Sequence, residues 1–150
     1  MAMFFSLESC IKSNTYEKNV SLPSHKWAHK LKPSFEFEIS DTNSNYLVYF
    51  TIRHTDAYPF SNIWLNVYTT MPGGTQSPPM RTEVPLAQED GKWLGKTFNE
   101  ICTQQLLLTK DGAVHFDKKG KYTIKLEQIM RQDPLPEIMS VGLRLEKVLK

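Results

Sequence analysis

The chain has 150 residues, of which 40% are apolar and 23% charged, with a formal net charge of +2 and two cysteines. That length suits one domain able to bury ~70% of its extended-chain surface, so the core needs neither disulfides nor a metal. Near-neutral charge excludes a nucleic-acid footprint, the apolar fraction excludes a largely disordered chain, and no apolar stretch is long enough to span a bilayer.

The chain opens on "MAMFFSLESC". Leu7 lies three residues before Cys10 and the small Ser9 one before it, which is the spacing of a bacterial lipobox, where the cysteine becomes the acylated N-terminus. Glu8 and the short "MAMFF" depart from that pattern, so the spacing alone leaves open whether residues 1–15 are signal remnant and lipid-anchor tether, with 16–150 as the domain. From Ser13 to Lys32 the pattern is polar and irregular, broken by Pro23, and continues the tether.

Short alternating runs follow. "SFEFEI" turns Phe35, Phe37 and Ile39 inward and leaves Glu36 and Glu38 wet. After the "DTNSN" turn, "YLVYFTIR" sets Tyr46, Val48, Phe50 and Ile52 on one face and Leu47, Tyr49, Thr51 and Arg53 on the other. "HTDAYPFSN" is a loop in which Pro59 fixes one backbone angle and restricts Tyr58. In "SNIWLNVYTT", Ile63, Leu65 and Val67 point one way, and Trp64, Asn66 and Tyr68 the other. "MPGGTQSPP" is an extended loop, and "RTEVPL" a short strand that Pro85 confines to a sheet edge. "QEDGKW" turns through Asp90 and Gly91, and "GKTFNEICTQQLLLTK" mixes helical spacing with a strand-like "QQLLLT". "KDGAVHF" is a turn and strand; "KYTIKLEQIM" and "VGLRLEKV" alternate around the loop "RQDPLPE".

Eight or nine short strands with hardly a helix predict an all-β fold: an antiparallel, jelly-roll-like β-sandwich. Its expected core is Phe35, Phe37, Val48, Phe50, Ile63, Leu65, Ile124, Leu126, Leu143 and Leu145. If the strands carrying Tyr49 and Trp64 pair, then Tyr49, Trp64 and Tyr68 share one aromatic face with Thr51 and Asn66. Amphipathic aromatics beside hydrogen-bonding groups can stack on a sugar or anchor a protein partner. The covered alternative places Trp64 in the interior, beneath Tyr58 and Phe60, with Trp93 closing the same edge. A partner or glycan would then touch only a rim of Asp56, Tyr58, Phe60, Trp64 and Trp93.

Catalytic patterns are weaker. His25 and His29 in "HKWAH" lack the glutamate of a zincin and sit among lysines; no nucleophile elbow accompanies His54 and Asp56. "PGGT" is not followed by Lys-Ser and a helix, so it is no phosphate loop, and Cys102 reads as a small buried hydrophobe. No cofactor or metal is called for.

The ordered motifs "SLPSHKW", "YFTIRHTDAYPFSNIWLNV", "VPLAQEDGKWLGK", "FDKKGKYTIKLEQIMRQDPLP" and "VGLRLEK" resemble the gliding-motility lipoprotein GldH family, from about Tyr16 to Val148. The resemblance implies a non-enzymatic lipoprotein anchored to a membrane of the cell envelope through Cys10 and facing the periplasm. It implies work with other proteins of the gliding machinery and its associated protein-export system, without a cofactor. It also implies a glycine after "DPLP", where this chain has Glu137.

Overall fold

A computed structural model describes residues 15–109 and 112–148. Twelve strands and one short 3-10 turn make up the described elements. In chain order the strands are β1 (Thr15–Ser21), β2 (Lys26–Trp27), β3 (Ser34–Ile39), β4 (Asn45–Thr55), β5 (Asn62–Thr70) and β6 (Met80–Pro85). After them come β7 (Lys96–Phe98), β8 (Ile101–Leu107), β9 (Val114–His115), β10 (Gly120–Gln128), β11 (Leu135–Pro136) and β12 (Ile138–Lys147). Nine are three residues or longer, and β2, β9 and β11 are two-residue bridges, so the expected number holds for the longer ones.

The strands form an antiparallel β-sandwich. The larger sheet runs β1-β12-β4-β8-β7 with β9 against β4, the smaller runs β3-β10-β5-β6, and β2 pairs with β11 apart from both. The chain passes repeatedly from one sheet to the other, as in a jelly-roll-like winding. Between the sheets lies one core, in which all ten expected residues are buried. Strict alternation places them there: β3 reads exposed-buried throughout, and β5 and β10 alternate buried with half-buried.

Aromatic clusters close the sandwich at its two ends. At the end where β4 begins, Phe37 packs on Tyr16, Phe116 and Tyr122, and Tyr46 on Phe116, with centroids 5.5–5.9 Å apart. Where β4 finishes, His54, Tyr58, Phe60 and Trp93 make the second cluster. Eleven residues of β4, at ~3.3 Å each, separate the two ends by roughly 35 Å. Thr15 enters at the first end, opposite Glu146.

Three expectations need correction. The N-terminal stretch is not tether as far as Lys32: β1 pairs with β12 over its whole length, Leu22 is buried, and Trp27 is fully buried. As an edge strand, β1 turns only Tyr16 and Val20 against the core, too little for alternation to show. The uncertain stretch after Gly95 is a β7–β8 hairpin, turning through Asn99 (φ 47°) and Glu100 (φ 65°). Both are left-handed, as a type I′ turn demands, and the usual glycine signal is missing. Finally, His54 is no loop residue but the last inward side chain of β4.

Glu137 adopts φ 66°, a conformation that suits glycine, which is what the family resemblance implied there. Its backbone oxygen accepts from Thr55 N–H at 3.0 Å, and its carboxylate accepts from the Thr55 hydroxyl. A second close approach is at Gly142, over which the Thr51 hydroxyl donates to Asn19 Oδ1 at 2.9 Å.

Candidate functional site

Cys10 lies outside the described residues. The other candidates divide between two places. Asp56 is exposed on the β4–β5 loop, which is held by Asp56 N–H donating to Glu100 O at 2.9 Å. Tyr58 is buried beside it, its hydroxyl donating to Asn62 O at 2.8 Å; burial pushes that hydroxyl's pKa well up. Phe60 and Trp93 are half-buried against Tyr58, at 5.8 and 6.3 Å between centroids. His54 completes the group, 4.6 Å from Trp93 and 5.4 Å from Tyr58. Its Nδ1 is 2.8 Å from Thr55 O, whereas Nε2 is buried without a partner among the described residues. Burial lowers the His54 pKa, so the ring is held neutral.

Trp64 belongs elsewhere. Because Ile63 and Leu65 face the core, Trp64 points outward from the smaller sheet, half-buried, and neither Tyr58 nor Phe60 stacks on it. The expectation of an interior Trp64 under those rings is therefore overturned. So is the shared face with Tyr49. β4 and β5 lie in different sheets, so Tyr49 and Thr51 face outward from one side of the sandwich and Trp64, Asn66 and Tyr68 from the other. The strands are adjacent in sequence, but the connection between them passes from one sheet to the other at the end of the sandwich.

The outer face around Trp64 is ordered by charge. The Arg81 guanidinium lies 4.7 Å from the Trp64 centroid and the Lys125 ammonium 4.9 Å from that of Tyr68. Between them Glu127 accepts from Asn66 at 3.1 Å and Tyr68 at 2.9 Å, and pairs with Lys32 at 3.2 Å. Burial alone would raise the Glu127 pKa, but these bonds outweigh it and the pKa is lowered. Each ring thus has a cation of its own chain over one face. No cluster of three or more metal-ligating side chains occurs among the described residues.

With the geometry in hand, comparison with known proteins decides the family. The profile of the GldH lipoproteins matches residues 14–145. The chain belongs to the GldH lipoprotein family. A GldH homologue of Christiangramia forsetii is 29% identical across 93% of this chain and 87% of its own length. The gliding motility lipoprotein GldH of Flavobacterium johnsoniae is 28% identical across 94% and 89%. Among solved structures, a carbohydrate-binding module specific for non-crystalline cellulose is similar at a TM-score of 0.44 and 13% identity, covering 86% of this chain and 71% of that one. A likeness so distant does not bear on what this GldH chain binds.

Sequence reasoning passed over Arg53, Lys96 and Phe98, which the β7–β8 hairpin gathers on the outer face of the larger sheet. No local signal marks these residues, because the Asn99-Glu100 turn that sets Phe98 outward lacks the usual glycine.

Proposed function

We propose that this GldH chain is a non-enzymatic, lipid-anchored component of the gliding-motility machinery and its associated protein-export system, acting through protein–protein contacts. The family match across residues 14–145 carries the proposal. Geometry supports it: the first described strand enters the sandwich at one end, five residues after Cys10. Acylation there would tie that end to a membrane facing the periplasm and leave the other sheet edges and loops for partners. A single acyl chain holds a protein marginally, whereas the several chains of an acylated N-terminal cysteine hold it stably.

A glycan-binding role would use Trp64 and Tyr68, but a sugar would have to displace Arg81 and Lys125 to stack on the faces they occupy. That weighs toward partner binding. The test is fractionation of cells expressing the precursor and its Cys10→Ser variant, grown with an alkyne-bearing fatty acid. The precursor should label and sediment with membranes, the variant should do neither, and cells lacking the protein should lose gliding and export. Equal sedimentation of an unlabelled wild-type protein would refute the anchor. Normal motility without the protein would refute the role.

A further inference from the structure

At the end of the sandwich remote from Thr15, the outer face of the larger sheet carries an open groove of ≈ 460 Å³, lined by Arg53, Lys96, Phe98, Asn99, Ile101 and Thr103. Its floor follows from strand register. Arg53 pairs with Thr103 and Thr103 with Lys96, so guanidinium, hydroxyl and ammonium stand in one row across β4, β8 and β7. One step along the strands, Thr55, Ile101 and Phe98 form the next row on the same face. Neither Arg53 nor Lys96 has an ion-pair partner among the described residues. Phe98 is 78% exposed, the most open of the large apolar side chains among the described residues. The hairpin backbone that carries it is held by the left-handed turn and by the Asp56–Glu100 backbone bond. An exposed aromatic on an anchored hairpin, next to two cations without ion-pair partners, is the makeup of an interface anchor.

We propose that this groove docks an extended, acidic segment of a partner protein. The occupant is set by charge and spacing. Lys96 and Phe98 are two residues apart on one face of a strand, about 6.6 Å. An extended ligand repeats the same step, so an acidic residue and an apolar residue two positions on reach the cation row and the apolar row together. Three acidic residues belong to this end: Asp56 and Glu100, whose backbones are joined at the hairpin tip, and Glu137, whose carboxylate accepts from the Thr55 hydroxyl. None of the three forms an ion pair with Arg53 or Lys96, so that row is the seat of the ligand's carboxylates. If Cys10 carries the anchor, the groove lies at the end of β4 away from the membrane, and the vesicle titration below distinguishes lipid headgroups independently of that anchor. The proposal deepens the partner-binding role above and does not depend on acylation of Cys10.

The test uses the whole chain, labelled with 15N, titrated with a synthetic peptide repeating Glu-Ser-Leu-Ser. Counterparts are a peptide repeating Lys-Ser-Leu-Ser, vesicles containing phosphatidylglycerol, and an oligogalacturonate. The acidic peptide should shift amide resonances of Arg53 and of Lys96 to Thr103, and added salt should weaken it. Arg53→Ala with Lys96→Ala, both exposed positions that leave the core intact, should lower affinity by about tenfold or more. Phe98→Ser should lower it similarly without altering the far-ultraviolet circular dichroism. Equal shifts from the basic peptide, shifts centred on Trp64 and Tyr68, or no shifts at millimolar peptide would overturn the proposal. So would saturation of these residues by vesicles or oligogalacturonate with the acidic peptide inert.

Discussion

Gly142 offers a direct test of how the larger sheet is assembled. A Cβ at this position would lie 2.0 Å from Asn19 Oδ1, 2.3 Å from Thr51 Oγ1 and 2.8 Å from Lys18 O. The first two obstacles are the partners of a hydrogen bond that passes over the glycine, and the third is backbone of the edge strand β1. Alanine must therefore break the Thr51–Asn19 bond and push β1 away from β12. Overpacking of this kind costs about 1–3 kcal/mol and a lost hydrogen bond about 0.5–1.5 kcal/mol. The expected loss is thus roughly 2–4 kcal/mol, out of the ~5–15 kcal/mol that a domain possesses.

Urea unfolding followed by tryptophan emission reads the effect, because Trp27 is fully buried. With a slope of about 1–3 kcal/mol per molar urea, the midpoint should fall by about 1–2 M. Placing Gly142→Ala in an Asn19→Ala, Thr51→Ala background removes both side-chain obstacles and should recover about half of the incremental loss. If Gly142→Ala leaves the midpoint unchanged in the native background, β1 does not lie against β12 at the register described.

Other expectations use the same unfolding measurements. Leu65→Ala should cost about 2–5 kcal/mol through lost transfer energy and a cavity, whereas Trp64→Ala, half-exposed, should cost under about 2 kcal/mol; equal losses would return Trp64 to the core. The His54 pKa is lowered from 6.5 by burial, so the unfolded chain takes up the proton first. Stability is then full above about pH 6.5 and falls by up to ~1.4 kcal/mol per pH unit as pH drops toward the folded-state value. That slope should be absent in His54→Leu, and its persistence would assign it to another group. Glu127, lowered from 4.5, adds a separate loss that begins only below about pH 4.5 and disappears in Glu127→Gln. Glu137→Ala and Glu137→Gly both remove the bond to Thr55, but only glycine relieves the left-handed backbone. The alanine variant should be less stable than the glycine variant by about 1 kcal/mol, and the reverse order would place Glu137 outside the left-handed region.

What the sequence revealed and what it concealed divide along physical lines. Strands β3, β5 and β10 each have one face on the core, and a period of two is written in their apolar residues. Local pattern thus names the inward side chains, and Phe37, Leu65 and Leu126 are where alternation puts them. Edges conceal themselves for the opposite reason. β1 and β7 bury so little that their lysines and glutamates hide the alternation, and Asn99-Glu100 makes a left-handed turn from residues that do not announce one.

Pairing is the harder matter. Alternation in β4 and β5 correctly separates Tyr49 from Phe50 and Trp64 from Leu65, yet nothing within either strand says which sheet receives it. Assigning the two strands to one sheet merged two outer surfaces that lie on opposite sides of the molecule. The same gap explains the candidate site. Arg53 is far in sequence from the hairpin that carries Lys96 and Thr103, and the three become one row only through the register of β4, β8 and β7. Each residue alone reads as ordinary solvated surface. Their chemistry is a property of the pairing, so an interface of this kind is legible only once the sheet is built, even where every strand has been read correctly.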